Sequence, residues 1–404
     1  MNIQKRHGAL IKNGNIAIRL LLTNAGYIPI AFHAVRELKK DTIKNFDENS
    51  YDSIWSKNSE DLDDVLGRAN WLCSHVIVNP SDLIKSMPDI IGRQYQGQWA
   101  IYACSMTAFA LVNIIRMTPA LTNKYLGNVS ALIEMVLSLE IRYYDTMQWK
   151  EDALRSLAGN RSHMTYLSIL AWMITNYRMA GGDDRYDDLL NDICYTLARR
   201  MGSSRDLNLP SFPNGIVFLP DMMFAVIALK NYGILNEGNY DNLVSDWLLR
   251  AKTDWIDKKT GLLISQYYPN GRRSTMYGSY AALNCSCLTM LDDEFAYSQY
   301  SLLKKYFGRL GRYCGIKEYL HKNPKWGFHI DAGPIIQGLS PTGTSFALGA
   351  ATYFKDWNFR SGLLNMAELA GKTIIRGDKR HYKLSEIMLT GEAITLGMRT
   401  NYRV

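Results

Sequence analysis

Three ionisable residues stand at the start or centre of apolar segments, and each could move a proton. His163 opens an apolar run, Asp221 follows Pro220 at the start of another, and Asp331 lies between aromatic residues in a segment containing Gly and Pro. An imidazole titrates near neutral pH and can act as a general acid or base. A carboxyl group in apolar surroundings tends to stay protonated, which suits a proton donor. We therefore predict that His163, Asp221 and Asp331 are catalytic residues.

Each of these residues also has an ordinary structural explanation. A buried His is stable when its ring nitrogens are hydrogen-bonded. Asp221 could cap a helix or occupy its first turn. Asp331 could stabilise a tight turn with its side chain. The residue types alone leave both interpretations open.

Aromatic and basic residues near these positions are candidates for binding a substrate. The segment 267–277 combines tyrosines, a Gly turn and two consecutive arginines just before a predicted helix. Such a loop could hold an anion with its Arg fork and an apolar body with its rings, although a solvated hairpin is the alternative. The predicted substrate-binding residues are Tyr95, Trp99, Trp149, Tyr268, Arg272 and Tyr277.

Missing motifs exclude several chemistries. The chain contains no GxGxxG, Walker lysine, GxSxG or HExxH motif and no zinc-spaced Cys/His set. Its six cysteines form no CxxC pair and lie mostly among apolar residues, which is typical of small buried side chains. This pattern favours a reduced compartment. We predict no metal and no cofactor.

The charge pattern bears on partners and location. Lys and Arg number 46 against 38 Asp and Glu, so the net charge is +8, and the basic residues are dispersed. Nucleic-acid binding needs clustered cations, so we predict a small-molecule substrate and no nucleic acid; a homo-oligomer stays open. The apolar segment 16–35 is interrupted by Arg19, Asn24 and Pro29. We predict a helix packed on the body of a cytoplasmic protein, with membrane contact the less favoured alternative.

The elements that must position these residues are helices. Apolar residues recur at helical spacing from about Gly97 onward, which predicts about eleven to thirteen helices, among them Val129–Asp145 and Glu294–Arg312. Strand patterns are scarce, and 262–268 is the best candidate. Many helices are apolar on several faces, which favours an all-α fold, an α/α toroid of about six helical hairpins. The N-terminal ends of its inner helices would line one mouth. We predict an N-terminal helical extension at 1–90, packed on the body, and a toroid catalytic domain at 91–404.

At these same positions the sequence resembles the linalool dehydratase/isomerase-like family, over about Gln94–Ala350. The matching stretches are 94–100, 161–163, 215–224, 260–263, 331–334 and 347–350. The resemblance implies an α/α toroid related to terpenoid cyclases and metal-independent acid/base chemistry in an apolar pocket. The family's histidine falls on His163 and its Cys-Glu-Pro-Asp-like segment on 218–221. This sequence has Phe218 where the family has a cysteine, and the second family cysteine has no counterpart.

Three functions are compatible with these observations. The first is a cofactor-independent lyase, isomerase or cyclase acting on an apolar, terpenoid-like or hydroxylated small molecule. The second is a carbohydrate-active enzyme, a glycosidase or epimerase, with Glu151, Asp152, Asp221 and Asp331 as candidate carboxylates. The third is a helical binding scaffold without catalysis. A closed apolar cavity would favour the first, and an open groove with many carboxylates would favour the second.

Overall fold

Fourteen α-helices make up most of the part of the chain that the structure describes. The computed structural model describes residues 59–88, 93–321, 324–329 and 332–403. Within these ranges the helices are α1 Ser59–Val76, α2 Pro80–Ser86, α3 Arg93–Met117, α4 Thr122–Leu137, α5 Leu139–Trp149, α6 Met164–Met179, α7 Asp187–Ser203, α8 Leu219–Leu235, α9 Asp241–Thr253, α10 Gly278–Leu288, α11 Asp293–Tyr306, α12 Pro341–Tyr353, α13 Trp357–Gly371 and α14 Leu389–Arg399.

Six of the helices pack side by side in a closed ring. The order around the ring is α3, α6, α8, α10, α12 and α14, and α14 packs again on α3. The next helix along the chain packs outside most of them: α4 on α3, α7 on α6, α9 on α8, α11 on α10 and α13 on α12, while α1 packs on α14. This arrangement is an α/α toroid of six hairpins, and the predicted fold class is confirmed.

The inner helices form because their sequences are apolar all round. In α8 the residues from Leu219 to Leu229 are all buried, and in α6 the residues from Met164 to Tyr177 are all buried. A helix without a polar face is stable only when neighbours cover it on every side. The outer helix α7 instead begins with Asp187 and Asp188 and exposes one face.

One glycine is required where α10 begins. A Cβ atom added to Gly278 would lie 1.9 Å from the carbonyl oxygen of Lys317. No side chain fits at that distance, so α10 can start beside the backbone of Lys317 only with a glycine at position 278. The contact fixes the position of the next residues, Ser279 and Tyr280, which reach the cavity described below.

A small β-structure interrupts the helices, and apart from the predicted strand at 262–268 the sequence gives no signal for it. The strands are β1 Val217–Phe218, β2 Gln266–Tyr267, β3 Gly308–Arg309, β4 Gly315–Lys317, β5 Trp326–His329, β6 Gly333–Ile336, β7 Leu339–Ser340, β8 Thr373–Arg376 and β9 Lys379–Tyr382. Five of them form an antiparallel sheet in the order β3, β4, β7, β6, β5. Strands of two to four residues are too short for an alternating pattern to be recognised.

Two predicted helix ranges need correction. The range Val129–Asp145 spans two helices, because Ser138 ends α4 and caps α5 by accepting a hydrogen bond from the Ile141 amide (3.4 Å). The range Glu294–Arg312 is too long, because α11 ends at Tyr306 and the chain continues into β3. In the predicted strand 262–268, only Gln266 and Tyr267 form one, pairing with β1.

The predicted N-terminal extension is only partly described. Residues 1–58 lie outside the described residues, and so does the predicted helix at 16–35. Helix α1 packs on α14, α3 and β9, and α2 packs on α3 and α5. The predicted boundary near residue 90 falls between α2 and α3 and stays a prediction.

Helix α3 also bears on membrane contact. The segment Tyr95–Met117 is the one described helix that is long and apolar enough to cross a membrane. It forms part of the inner ring, and most of it is buried by other helices. A core helix passes the same test by length and composition, so the segment carries little weight as a membrane span.

A buried ion cluster attaches α1 to α14. Arg68 donates hydrogen bonds to Glu392 (2.6 Å) and Asp64 (2.8 Å), and Arg399 donates to Asp64 and Asp61. Burial alone would raise the pKa of Asp61 and of Asp64, but the neighbouring guanidinium groups together outweigh it, Arg399 with Arg360 at Asp61 and Arg399 with Arg68 at Asp64, and both pKa values are lowered. The carboxylates therefore stay charged in the folded protein.

Removing the Glu392 charge should destabilise this attachment strongly. Glu392 is 1% exposed, so Glu392→Gln leaves Arg68 buried without its full counter-charge. We expect a loss of about 3 kcal/mol in the free energy of unfolding, measured by urea denaturation. The control is Asp82→Asn in the exposed pair with Lys85 (3.1 Å), where we expect a change within about 0.5 kcal/mol. Equal, small losses in both variants would contradict the prediction.

Candidate functional site

A large cavity opens where the inner helices begin. Its volume is about 1450 Å³, which exceeds the roughly 300–1,000 Å³ of most ligand sites. Residues from the first turns of α3, α8, α10, α12 and α14 line it, together with the β-sheet and the loop 266–275. The inner-helix residues include Tyr95, Trp99, Asp221, Ser279, Tyr280, Thr344, Ser345 and Thr390. The helix ends thus meet at one mouth, as the sequence predicts.

Asp221 lies on the wall of this cavity, in the first turn of α8. Pro220 precedes it at a position where the helix needs no amide donor. Asp221 as a residue is 8% exposed, and the Thr165 hydroxyl donates a hydrogen bond to its Oδ2 (2.7 Å). A carboxyl group here faces the positive end of a helix and the apolar cavity at once. The predicted first-turn position is confirmed, and the group is accessible to a ligand.

The structure puts His163 in a different environment from Asp221. Its side chain is fully buried and does not line the cavity. Nδ1 is 2.6 Å from Asp145 Oδ2, and Nε2 is 3.2 Å from both Glu151 Oε1 and Ser156 Oγ. Burial raises the pKa of Asp145, and its hydrogen bond with His163 opposes that shift. Both ring nitrogens are satisfied inside the protein, so the structural explanation of His163 fits and a direct contact with substrate does not.

Five of the six predicted binding residues line the cavity. Tyr95 and Trp99 do so from α3, Tyr268 and Arg272 from the loop after β2, and Tyr277 from the residue before α10. The sixth residue does not reach the wall. Trp149 is 7% exposed at the end of α5 and packs on the His163 ring at 5.5 Å between centroids.

The remaining predicted carboxylates are not on the wall. Glu151 pairs with His163, and Asp152 pairs with Arg142 (2.8 Å). Asp331 lies outside the described residues, between the end of β5 and the start of β6 in the sequence. Within the described residues, Asp221 is therefore the one carboxylate that lines the cavity.

An imidazole that sequence analysis missed also lines the cavity. His329 ends β5, and its Nδ1 lies 3.5 Å from Oε1 of Glu318, a fully buried carboxylate. Glu318 in turn accepts hydrogen bonds from the Ser279 amide (3.1 Å) and hydroxyl (2.9 Å) at the start of α10. The His329 ring lies 4.6 Å from the Tyr277 ring and 6.0 Å from the Tyr280 ring. His329 falls in the aromatic segment that drew attention to Asp331, but its partner Glu318 carries no local signal.

The cavity wall carries more positive than negative charge. Lys150, Arg272, Arg273 and Arg309 line it, against Asp221 among the described carboxylates. Burial lowers the pKa of Arg309. The described residues contain no group of three or more His, Cys, Asp or Glu side chains arranged to hold a metal ion.

Comparison with known proteins adds little beyond this geometry. No family model matches the chain, and no curated protein matches it. A glycoside hydrolase from family 105 of C. acetobutylicum ATCC 824 is similar in structure, with 12% sequence identity and a TM-score of 0.49, over 82% of this chain and 98% of that chain. A similarity this distant does not fix an activity.

The position of His163 predicts a structural defect when it is removed. His163→Ala leaves Asp145 buried and unpaired, and we expect a loss of about 3 kcal/mol in the free energy of unfolding. Urea denaturation followed by circular dichroism measures it. The control is His321→Ala on the surface, expected to stay within about 0.5 kcal/mol of the wild type. A His163→Ala protein as stable as the wild type would contradict this assignment.

Proposed function

We propose that the protein is a cofactor-independent acid/base enzyme that acts on a small molecule in the cavity. The observation that carries the proposal is one cavity wall bearing both a carboxyl group, Asp221, and an imidazole backed by a buried carboxylate, the His329–Glu318 pair. Two titratable groups in different environments are the elements of paired general acid and base catalysis.

The two groups have distinct roles in this proposal. Glu318 lies beside Nδ1 of His329 and orients the imidazole, which accepts a proton from the substrate. Asp221 in its acid form donates its proton to a leaving hydroxyl or to an alkene, while Thr165 still donates to its other oxygen. Elimination then breaks the C–O and C–H bonds and releases water. Proton exchange with solvent restores Asp221 and His329.

Aromatic rings around the cavity support a polarised intermediate. Trp99, Tyr95 and Tyr277 line the wall, and Tyr280 packs edge-on against Phe218 at 5.5 Å. Ring faces attract positive charge that develops on carbon. Phe218 occupies the position of the family cysteine and contacts rings there, so the proposed chemistry uses no thiol. The reaction class is that of a lyase or isomerase, as the family resemblance implies, and the cytoplasmic location stays a prediction.

Removal of the Asp221 proton should abolish turnover without unfolding the protein. For Asp221→Asn we expect a loss of at least about 100-fold in kcat, because the amide cannot act as the acid. The assay offers terpenoid alcohols and alkenes, with products identified by gas chromatography and mass spectrometry.

A matched control is Asp254→Asn, since Asp254 is 53% exposed at the end of α9 and should keep wild-type rates. Wild-type rates in Asp221→Asn on a substrate that the protein turns over would refute the proposed acid. Binding without turnover across the whole panel would favour the scaffold interpretation.

A carbohydrate-active enzyme is the second candidate. Amide side chains alternate with rings on the cavity wall, among them Gln98, Asn214 and Gln266, and sugars bind through hydroxyl hydrogen bonds and ring stacking. Glycosidases use two carboxylates across the scissile bond, whereas the described wall carries Asp221 alone. Aryl glycosides and sugar epimers in the same panel test this candidate. Release of the aryl group, or epimer exchange, that depends on Asp221 would establish it in place of the lyase.

A further inference from the structure

The cavity wall has a cationic part and an apolar part. A small neutral substrate would neither compensate the charge of the first part nor cover the surface of the second. We infer that the substrate is an amphipathic anion, whose carboxylate or phosphate binds Arg309 and whose apolar chain lies along α13 and the segment before α14. This inference rests on the proposed function insofar as it assigns the substrate class of the same cavity. The binding claim can be tested without turnover.

Arg309 is held in place but incompletely satisfied. Its Nε donates to the carbonyl oxygen of Tyr313 (2.9 Å) and its Nη1 to that of Gln337 (2.8 Å). Nη2 is buried and has no hydrogen-bond partner among the described residues. Buried donors are rarely left unsatisfied in folded proteins. Arg309 lines the cavity, and its guanidinium, which two backbone carbonyls hold in place, is arranged to receive an anionic oxygen.

Other positive groups on the wall favour the same charge. Arg272 lies over the Tyr268 ring at 4.4 Å, so its edge stays available for hydrogen bonds. Arg273 is anchored to the carbonyl oxygens of Asp254 (2.5 Å) and Ile256 (2.7 Å). The amino ends of five inner helices point to the same mouth, and their dipoles add positive potential. A ligand without negative charge would leave this field uncompensated.

The apolar part of the wall lies on α13 and the segment before α14. One face of α13, followed by the segment before α14, contributes half-buried apolar side chains: Met366, Ala367, Ala370, Leu384, Ile387 and Met388. Met366 and Ala370 are one helical turn apart and face the same side. Partly exposed apolar residues grouped in a concavity mark a surface that a ligand covers. A small polar molecule bound at Arg309 would leave this surface in water.

Isothermal titration calorimetry of the Asp221→Asn protein tests the inference. The probes are dodecanoate and dodecyl phosphate, below the concentrations at which they form micelles, together with dodecanol and the short anion galacturonate. We expect one of the two anionic amphiphiles to bind at least about tenfold more tightly than dodecanol, because a charge-assisted hydrogen bond is lost with the alcohol. The anion that binds more tightly identifies the head group.

Two variants separate the contributions of the head and the chain. Arg309→Gln should remove the preference for the anion over dodecanol. The control is Arg312→Gln, which makes the same charge change at an exposed residue outside the cavity wall and should keep that preference. Met366→Glu should weaken the amphiphile at least about tenfold and leave galacturonate unchanged. Melting curves of each variant verify folding.

Three results would overturn the inference. Dodecanol binding as tightly as both anions would remove the role of Arg309. Galacturonate binding more tightly than the amphiphiles would remove the role of the apolar wall and favour the carbohydrate candidate. Absence of binding by every anion would refute the inference altogether. Because each result is an equilibrium measurement on a variant without the proposed acid, loss of the proposed reaction does not produce any of them.

Discussion

Close packing of six apolar helices around a common axis is the constraint on which the rest of the structure depends. Between α10 and α12 the Ser286 hydroxyl donates to the Phe346 carbonyl oxygen (2.6 Å) and accepts from the Ala350 amide (3.1 Å). A Cβ atom on Gly349 would lie 2.5 Å from Met398 Sδ of α14. Small residues thus let three inner helices approach each other closely where the ring closes.

Closure of the ring explains why the chemistry gathers at one end. Inner helices that each return through an outer helix all run in the same direction, so their amino ends meet. Asp221 comes to the cavity because α8 begins there, and Ser279 comes because α10 begins there. Unsatisfied amides at these ends attract negative groups. The buried Glu318 accepts a hydrogen bond from the Ser279 amide at the start of α10 and also lies beside His329, which it orients.

The inserted sheet supplies what the ring alone lacks. Strands β3–β7 connect α11 to α12 and cover part of the mouth, with Arg309 on β3 and His329 on β5. Sheets of this size hold side chains at fixed separation, because every strand is paired with a neighbour. The helices therefore provide an apolar cavity with Asp221 on its wall, whereas the sheet provides the imidazole of His329 and the guanidinium of Arg309.

The sequence by itself determined the helical class, the ring of hairpins and the first-turn position of Asp221, because helical periodicity and an Asp after Pro at the start of an apolar run are local signals. The same kind of signal marked His163, yet only the tertiary structure decided that Asp145 and Glu151 enclose it away from the cavity. The contact of His329 with Glu318 and the position of Arg309 on the cavity wall depend on strands of two to four residues. Such strands have no periodicity of their own and form because the closed ring brings them together, so residue order could not reveal them.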